Sequence, residues 1–190
     1  MPDCTLVSLR GEYLSRWLNA ALHEATTDAL NAAEQAAANR EIYEDVGGGI
    51  PWWFIAALHY READCLFSTH LHNGDPLTRR TIHVPAGRPL SGSPPFTWQE
   101  SARDALQMSG LWGLTDWSVA TALWQAERYN GFGYRTRGAV SPYLWSGTSQ
   151  YKSGKFVADH VYEPNVVDEQ LGVAAIWLAL SATNQAEIAQ

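Results

Sequence analysis

The stretch Ile50-Pro51-Trp52-Trp53-Phe54-Ile55-Ala56-Ala57-Leu58-His59-Tyr60-Arg61-Glu62 decides how this chain is read. Gly47-Gly48-Gly49 interrupts whatever precedes it, and Pro51 suits a first helical turn, where a missing N–H costs nothing. The spacing predicts a helix over Pro51 to Ala63. On it Ile55, Leu58, His59 and Glu62 share one face, three, four and seven residues apart. Glu62 then sits on or beside the buried stripe, in the last turn. Desolvation and the partial negative charge of a helix C-terminus both disfavour an ionised carboxyl there. A carboxyl kept protonated near neutral pH is what a general acid must be. The plainer alternative is a surface Glu paired with Arg61 or another cation.

Downstream, Ser68-Thr69-His70-Leu71-His72-Asn73-Gly74-Asp75-Pro76-Leu77-Thr78 carries Asn-Gly inside an alternating segment from Phe67 to Val84, a strong hairpin signal. Pro76 demotes the strand after it to an edge. Asp75 supplies a second carboxylate beside the turn. An acid in apolar surroundings opposite a more polar carboxylate is the arrangement of glycoside hydrolysis. The competing role for Asp75 is a turn residue bonding nearby backbone. Asp64 is the other nearby acid, but two residues from Glu62 on a helix it points to another face.

Nine Trp and eight Tyr are many for 190 residues. Some must be core filler, and the excess also suits a cleft in which rings stack on sugars. The formal charge of -7 argues against a protein that neutralises nucleic-acid phosphates. Cys4 and Cys65 are too few for a disulfide framework or a four-thiolate zinc site. No run reaches the roughly 18 apolar residues of a membrane span, and the first twenty residues do not read as a signal peptide. The expectation is synthesis in a cytoplasm, with any outside action reached by release or another export route.

Helical patterns fill much of the rest. From Glu12 to Tyr43, Leu14, Trp17, Leu18, Ala21, Leu22 and Ala25 recur at helical spacing, and Thr26-Thr27-Asp28 fits the cap of a second helix over Ala29 to Asn39. Pro85 to Pro95 is a loop. Thr97-Trp98-Gln99-Glu100 reads as a capping box for a helix to about Met108, which gives Glu100 a structural role. Thr115 to Tyr129 and Asp168 to Ala182 are further helices, and Val140 to Asp159 is an aromatic, Gly/Ser-rich loop with room for short strands. The predicted class is mainly α (α+β), one domain over residues 1–190, with 1–46 an N-terminal helical segment and 47–190 the functional core.

The helix ending at Glu62, the turn after it, and Arg128-Tyr129-Asn130-Gly131-Phe132-Gly133 in this order resemble the lysozyme superfamily: goose-type lysozymes, lytic transglycosylases, chitosanases and phage lysozymes. With Ser141-Pro142-Tyr143-Leu144-Trp145-Ser146-Gly147-Thr148, the chain looks most like phage or prophage endolysins over roughly Gly49 to Trp177. Glu62-Ala63 departs from the Glu-Ser usual in transglycosylases. The resemblance implies a lysozyme-like helical domain with one small hairpin beside the cleft, acting on peptidoglycan glycan strands without a cofactor. It casts Glu62 as acid, Asp75 as water-positioning base, and Thr81 (less well Thr78) as its hydroxyl partner. Tyr129 and Asn130 would hold the sugar chain, although a helix end and turn is their structural reading. Tyr143, Trp145 and Tyr151 would stack, and Arg79, Arg80 and Arg88 would meet carboxylates of the wall polymer.

Two rivals follow from the same residues. His59, Glu62, His70, His72, Asp75 and His83 form a pool from which a zinc peptidase would draw, but His59-x-x-Glu62 lacks the second His of a zincin helix. A carbohydrate-binding module without catalysis would explain the aromatics and leave the placement of Glu62 without purpose.

Overall fold

The computed structural model describes residues 2–23 and 26–189. They are mainly helical, with one small antiparallel sheet. The backbone divides into two compact units: Met1–Ala37 with Asp116–Gln190, and Ala38–Thr115. The boundaries fall away from residue 46, so the N-terminal helical segment is shared between the units.

In the first unit, α1 (Leu6–Leu18) starts where the Thr5 hydroxyl accepts the Ser8 N–H. Leu9, Tyr13 and Trp17, spaced by fours, form its buried stripe. This differs from the expected stripe: Leu14 is only partly buried and Leu18 is exposed, because the helix begins earlier and ends at Leu18. Ala25 lies outside the described residues. α2 (Thr26–Ala38) buries only alanines, and Thr26 to Asp28 form its first turn rather than its cap. α1 packs on α6 (Val119–Asn130). α7 (Pro142–Trp145) packs on α8 (Val173–Ala182), whose helix begins later than Asp168. Gly172 allows that approach, since a Cβ there would stand 2.4 Å from the Leu144 carbonyl oxygen. Leu144, Trp145, Ile176, Trp177 and Leu180 make an interior in which each large apolar side chain contributes about 1.5–3 kcal/mol. β1 (Lys155–Ala158) pairs with β2 (Val161–Glu163), Phe156 opposite Tyr162.

The second unit is built around α4 (Trp52–Ala63), with Pro51 at its N-cap. Every residue from Trp52 to His59 is buried. A helix apolar on all sides must be covered on all sides. α3 (Arg40–Val46) lies against it and against α5 (Trp98–Met108). The capping box forms as expected: the Glu100 carboxylate accepts the Thr97 N–H at 2.7 Å while Thr97 Oγ1 accepts the Glu100 N–H at 3.2 Å. An aromatic cluster of Tyr43, His59, Phe67 and Trp98 joins the three helices, with His59 and Trp98 ring centroids 4.5 Å apart.

The expected hairpin over Phe67 to Val84 does not form. The segment has a single β-bridge, Thr69 to Pro76, around a turn in which the Gly74 N–H donates to the His70 carbonyl at 2.9 Å. Pro76 brings no N–H to a ladder, and the polar side chains on both sides of the turn are drawn into bonds with α5 and with the following loop. The sheet forms instead at 155–163; its first strand lies in the loop expected to hold short strands, and its second lies beyond it.

Candidate active site

Glu62 occupies the last turn of α4 and is half-buried, next to a fully buried run. The helix stops at Asp64, which takes a left-handed conformation with φ 47°, and Cys65 follows at φ 58°. The chain therefore doubles back, and the Asn73-Gly74 turn returns to the end of α4. A Cβ on Gly74 would lie 3.6 Å from the Glu62 carbonyl oxygen, and its φ of +76° suits glycine. Sequence spacing thus placed Glu62 in the last turn of a buried helix and the Asn73-Gly74 turn after it. Asp64 is exposed.

Asp75 is buried and saturated. Its Oδ2 accepts the N–H groups of Ile82 at 2.8 Å and His83 at 3.0 Å, and Oδ1 accepts from His83 Nδ1 at 2.7 Å. Its own N–H donates to Asn73 Oδ1. Burial alone would raise its carboxyl pKa, but the bonds from His83 and Ile82 outweigh it and hold the group ionised well below the usual carboxylate range. So strongly held a carboxylate is a poor proton acceptor, and the geometry makes Asp75 the brace of the loop rather than a base poised over water.

Thr81 is buried at the neck of the same loop. Its hydroxyl donates to the Pro85 carbonyl at 2.5 Å and accepts the Arg88 N–H at 2.9 Å, while its own N–H donates to the Arg88 carbonyl. Its hydroxyl is committed to closing the loop. Thr78 is exposed.

Behind this loop lies a polar chain that the sequence reading missed. His70 and Ser101 are fully buried, and the His72 ring is sealed from solvent. His70 Nε2 donates to the Arg79 carbonyl at 2.8 Å, and its Nδ1 is hydrogen-bonded with the Ser101 hydroxyl, also at 2.8 Å. His72 Nε2 donates to Asp104 Oδ2 at 2.8 Å, and its Nδ1 lies 3.4 Å from the same serine oxygen. Arg88 Nε donates to Asp104 Oδ2 at 2.8 Å. Ser101 Oγ thus lies within hydrogen-bond reach of a ring nitrogen of each histidine. Burial is the main reason that His72 protonates below its ordinary pKa, against the pull of Asp104.

The order Ser101–His72–Asp104 has the connectivity of a nucleophilic relay. Ser101 is wholly inaccessible, however, so the chain ties the 70–88 loop to α5 and does not present a nucleophile. Ser101, Asp104 and Ala105 at helical spacing mark an inward face of α5, but nothing local in sequence announces their histidine partners.

His59, three residues before Glu62 on α4, is a further buried titratable group. Tyr43 Oη lies 3.1 Å from its Nδ1. Burial pushes its pKa down to about 4 and pushes the neighbouring Cys65 thiol up to about 11. Cys65 and Cys4 are both free thiols.

The remaining candidates lie in the first unit. Tyr129, half-buried, and Asn130, exposed, end α6, and the following Gly131 N–H donates to the Glu127 carbonyl. Both the helix end and a surface position are present. Tyr143 and Trp145 correct the expectation of stacking residues: they are interior side chains, because α7 is buried on every residue against α8. Tyr151 remains half-exposed, its hydroxyl donating to the Gly154 carbonyl and accepting the Asp168 N–H. Glu127, which spacing had not singled out, is a buried carboxylate held by the Tyr13 hydroxyl at 2.5 Å and by Arg135 at 2.7 and 2.9 Å.

Among the cationic candidates, Arg79 is exposed, whereas Arg80 bonds the Gly92 carbonyl and Arg88 bonds Asp104. Among the described residues no three His, Cys, Asp or Glu side chains converge as a metal site, and no helix is long and apolar enough to cross a membrane. No protein-family model, curated protein or solved structure matches this chain.

Proposed function

We propose that this chain is a peptidoglycan-degrading muramidase of the endolysin type, cleaving the MurNAc-GlcNAc β-1,4 bond with Glu62 as general acid. The observation that carries the reading is the position of Glu62: a half-exposed carboxyl in the last turn of a helix buried from Trp52 to His59, with a braced turn packed against its carbonyl. That is a setting in which a rigid scaffold presents one acid. In this reading Glu62 protonates the leaving glycosidic oxygen. The loop held by Asp75 and Thr81 keeps the neighbourhood of Glu62 in shape.

The occupied carboxylate of Asp75 favours a second version of the same chemistry, in which Glu62 works nearly alone. After donating its proton, the Glu62 carboxylate would take one from the C6 hydroxyl of MurNAc, whose oxygen then closes on C1. That is lytic transglycosylation, and it needs no water-positioning base.

Mass spectrometry of digested peptidoglycan tests both. Reducing-end MurNAc products mean hydrolysis and 1,6-anhydro products mean transglycosylation. Intact glycan with cut stems overturns the glycosidase reading. Glu62→Gln should lose turnover by at least about 100-fold while still binding glycan. A protein that only binds would be unaffected.

A further inference from the structure

The first unit contains a cavity of about 930 Å³, bordered by His23, Asp28, Tyr151, Lys152 and Glu169 and floored by the Ser146–Ser149 loop. The volume is that of a small-ligand site. Its frame is held from three sides. Ser149 N–H donates to the Ala21 carbonyl at 2.8 Å, and the Ala21 N–H returns to Ser149 Oγ at 3.0 Å, beside a bridge from Leu22 to Thr148. Ser146 Oγ donates to the Asp168 carbonyl at 2.5 Å, and the Tyr151 hydroxyl accepts the Asp168 N–H at 3.0 Å. Lys155 Nζ meets the buried Asp168 carboxylate at 2.9 Å, so that wall carries little net charge.

These bonds use the hydroxyl protons of Ser146 and Tyr151, and the charged groups of the rim face the cavity mouth as further partners. Asp28 and Glu169 are exposed acids, Lys152 and His23 exposed bases. The half-exposed ring of Tyr151 and the exposed Val167 add apolar surface. Exposed carboxylates and a lysine ammonium around one hollow match a ligand that bears both signs itself.

We propose that this cavity binds a short peptide carrying both an ammonium and a carboxylate: on the peptidoglycan reading, on which the identity of the ligand rests, the peptide stem attached to the glycan. The ammonium meets Asp28 and Glu169, the carboxylate meets Lys152 and His23, and the aliphatic part lies on Tyr151 and Val167. The chain therefore prefers glycan that still carries its stems.

The test is a backbone-amide NMR titration of the wild-type protein with free stem tetrapeptide, which contains no glycosidic bond. Shifts are expected at residues 146–152 and 167–169, with Kd weakened about three- to tenfold by Glu169→Gln and by Lys152→Ala, each losing one charged partner. Both side chains are exposed, so neither substitution threatens the fold. Acetylating the peptide amines should weaken binding similarly. Absence of shifts, shifts that neither variant alters, or shifts produced equally by chitotetraose would each overturn the proposal. The two readings fail separately. Glycan cleavage without peptide binding sinks the stem site alone, and peptide binding without glycan cleavage sinks the muramidase.

Discussion

His83 Nδ1 stands 2.7 Å from Asp75 Oδ1, an exposed imidazole closing over a buried carboxylate. The same carboxylate accepts two backbone N–H groups from residues 82 and 83. One acidic side chain thus fastens a loop that has almost no regular structure of its own.

Asp75→Asn should therefore destabilise the protein by about 1–3 kcal/mol, since it replaces one oxygen acceptor of a buried carboxylate with an NH2 group facing N–H donors. Hydrogen exchange should accelerate across residues 76–92 before it does in α4. His83→Ala should cost under about 1 kcal/mol, because that partner is largely in solvent. The folded-state pKa of Asp75 lies below its ordinary 3.8, so its contribution is present above about pH 4 and is lost as pH falls further. Equal exchange in wild type and Asp75→Asn would show that the loop is held by something else.

A second pH dependence comes from His59, which is buried and whose pKa is lowered from 6.5 to about 4. A lowered histidine pKa means that the unfolded chain binds the proton first. Stability is therefore full above about pH 6.5 and declines toward pH 4, by up to about 3 kcal/mol. The groups packed on the ring do not oppose this, since burial raises the Tyr43 hydroxyl and the Cys65 thiol and keeps both neutral. His72, lowered in the same direction, adds to the decline. Urea unfolding between pH 4 and 7.5 should give a shallower pH slope for His59→Phe than for wild type.

Glu62→Gln should leave the melting temperature within about 2 °C of wild type, as expected for an isosteric change at a half-exposed helix end. Calorimetry beside the activity assay separates a lost proton donor from a lost fold. A fall of ten degrees would mean that Glu62 is structural.

Glu127→Ala should be among the most damaging substitutions in the first unit, costing about 3–5 kcal/mol, because it removes the acceptor of both Tyr13 and Arg135. Arg135 also bonds Glu12 at 2.9 Å, so Glu12→Gln tests how much that half-exposed pair adds. It should change stability by less than about 1 kcal/mol. Thermal unfolding of both variants checks the ranking.

Local patterns were legible where a residue's neighbours in sequence are also its neighbours in space. The capping box at Thr97 and Glu100 is such a case, as is the apolar run that makes α4 and the Asn73-Gly74 turn. The hairpin expectation failed because alternation says which way side chains point, not whether a partner strand is better than a helix face. His70 and His72 found partners on α5 about thirty residues away. Tyr143 and Trp145 read as surface aromatics because a Gly/Ser-rich context resembles a loop, and only packing against α8 puts them inside.

The sequence by itself determined that α4 is a buried helix ending in a carboxylate and followed by a turn, since apolar periodicity and glycine conformations act over a few residues. Tertiary structure alone decided that Asp75 is a brace and not a free base. Its partners lie seven and eight residues on, and the protonation of a buried carboxylate depends on which donors the folded loop places around it.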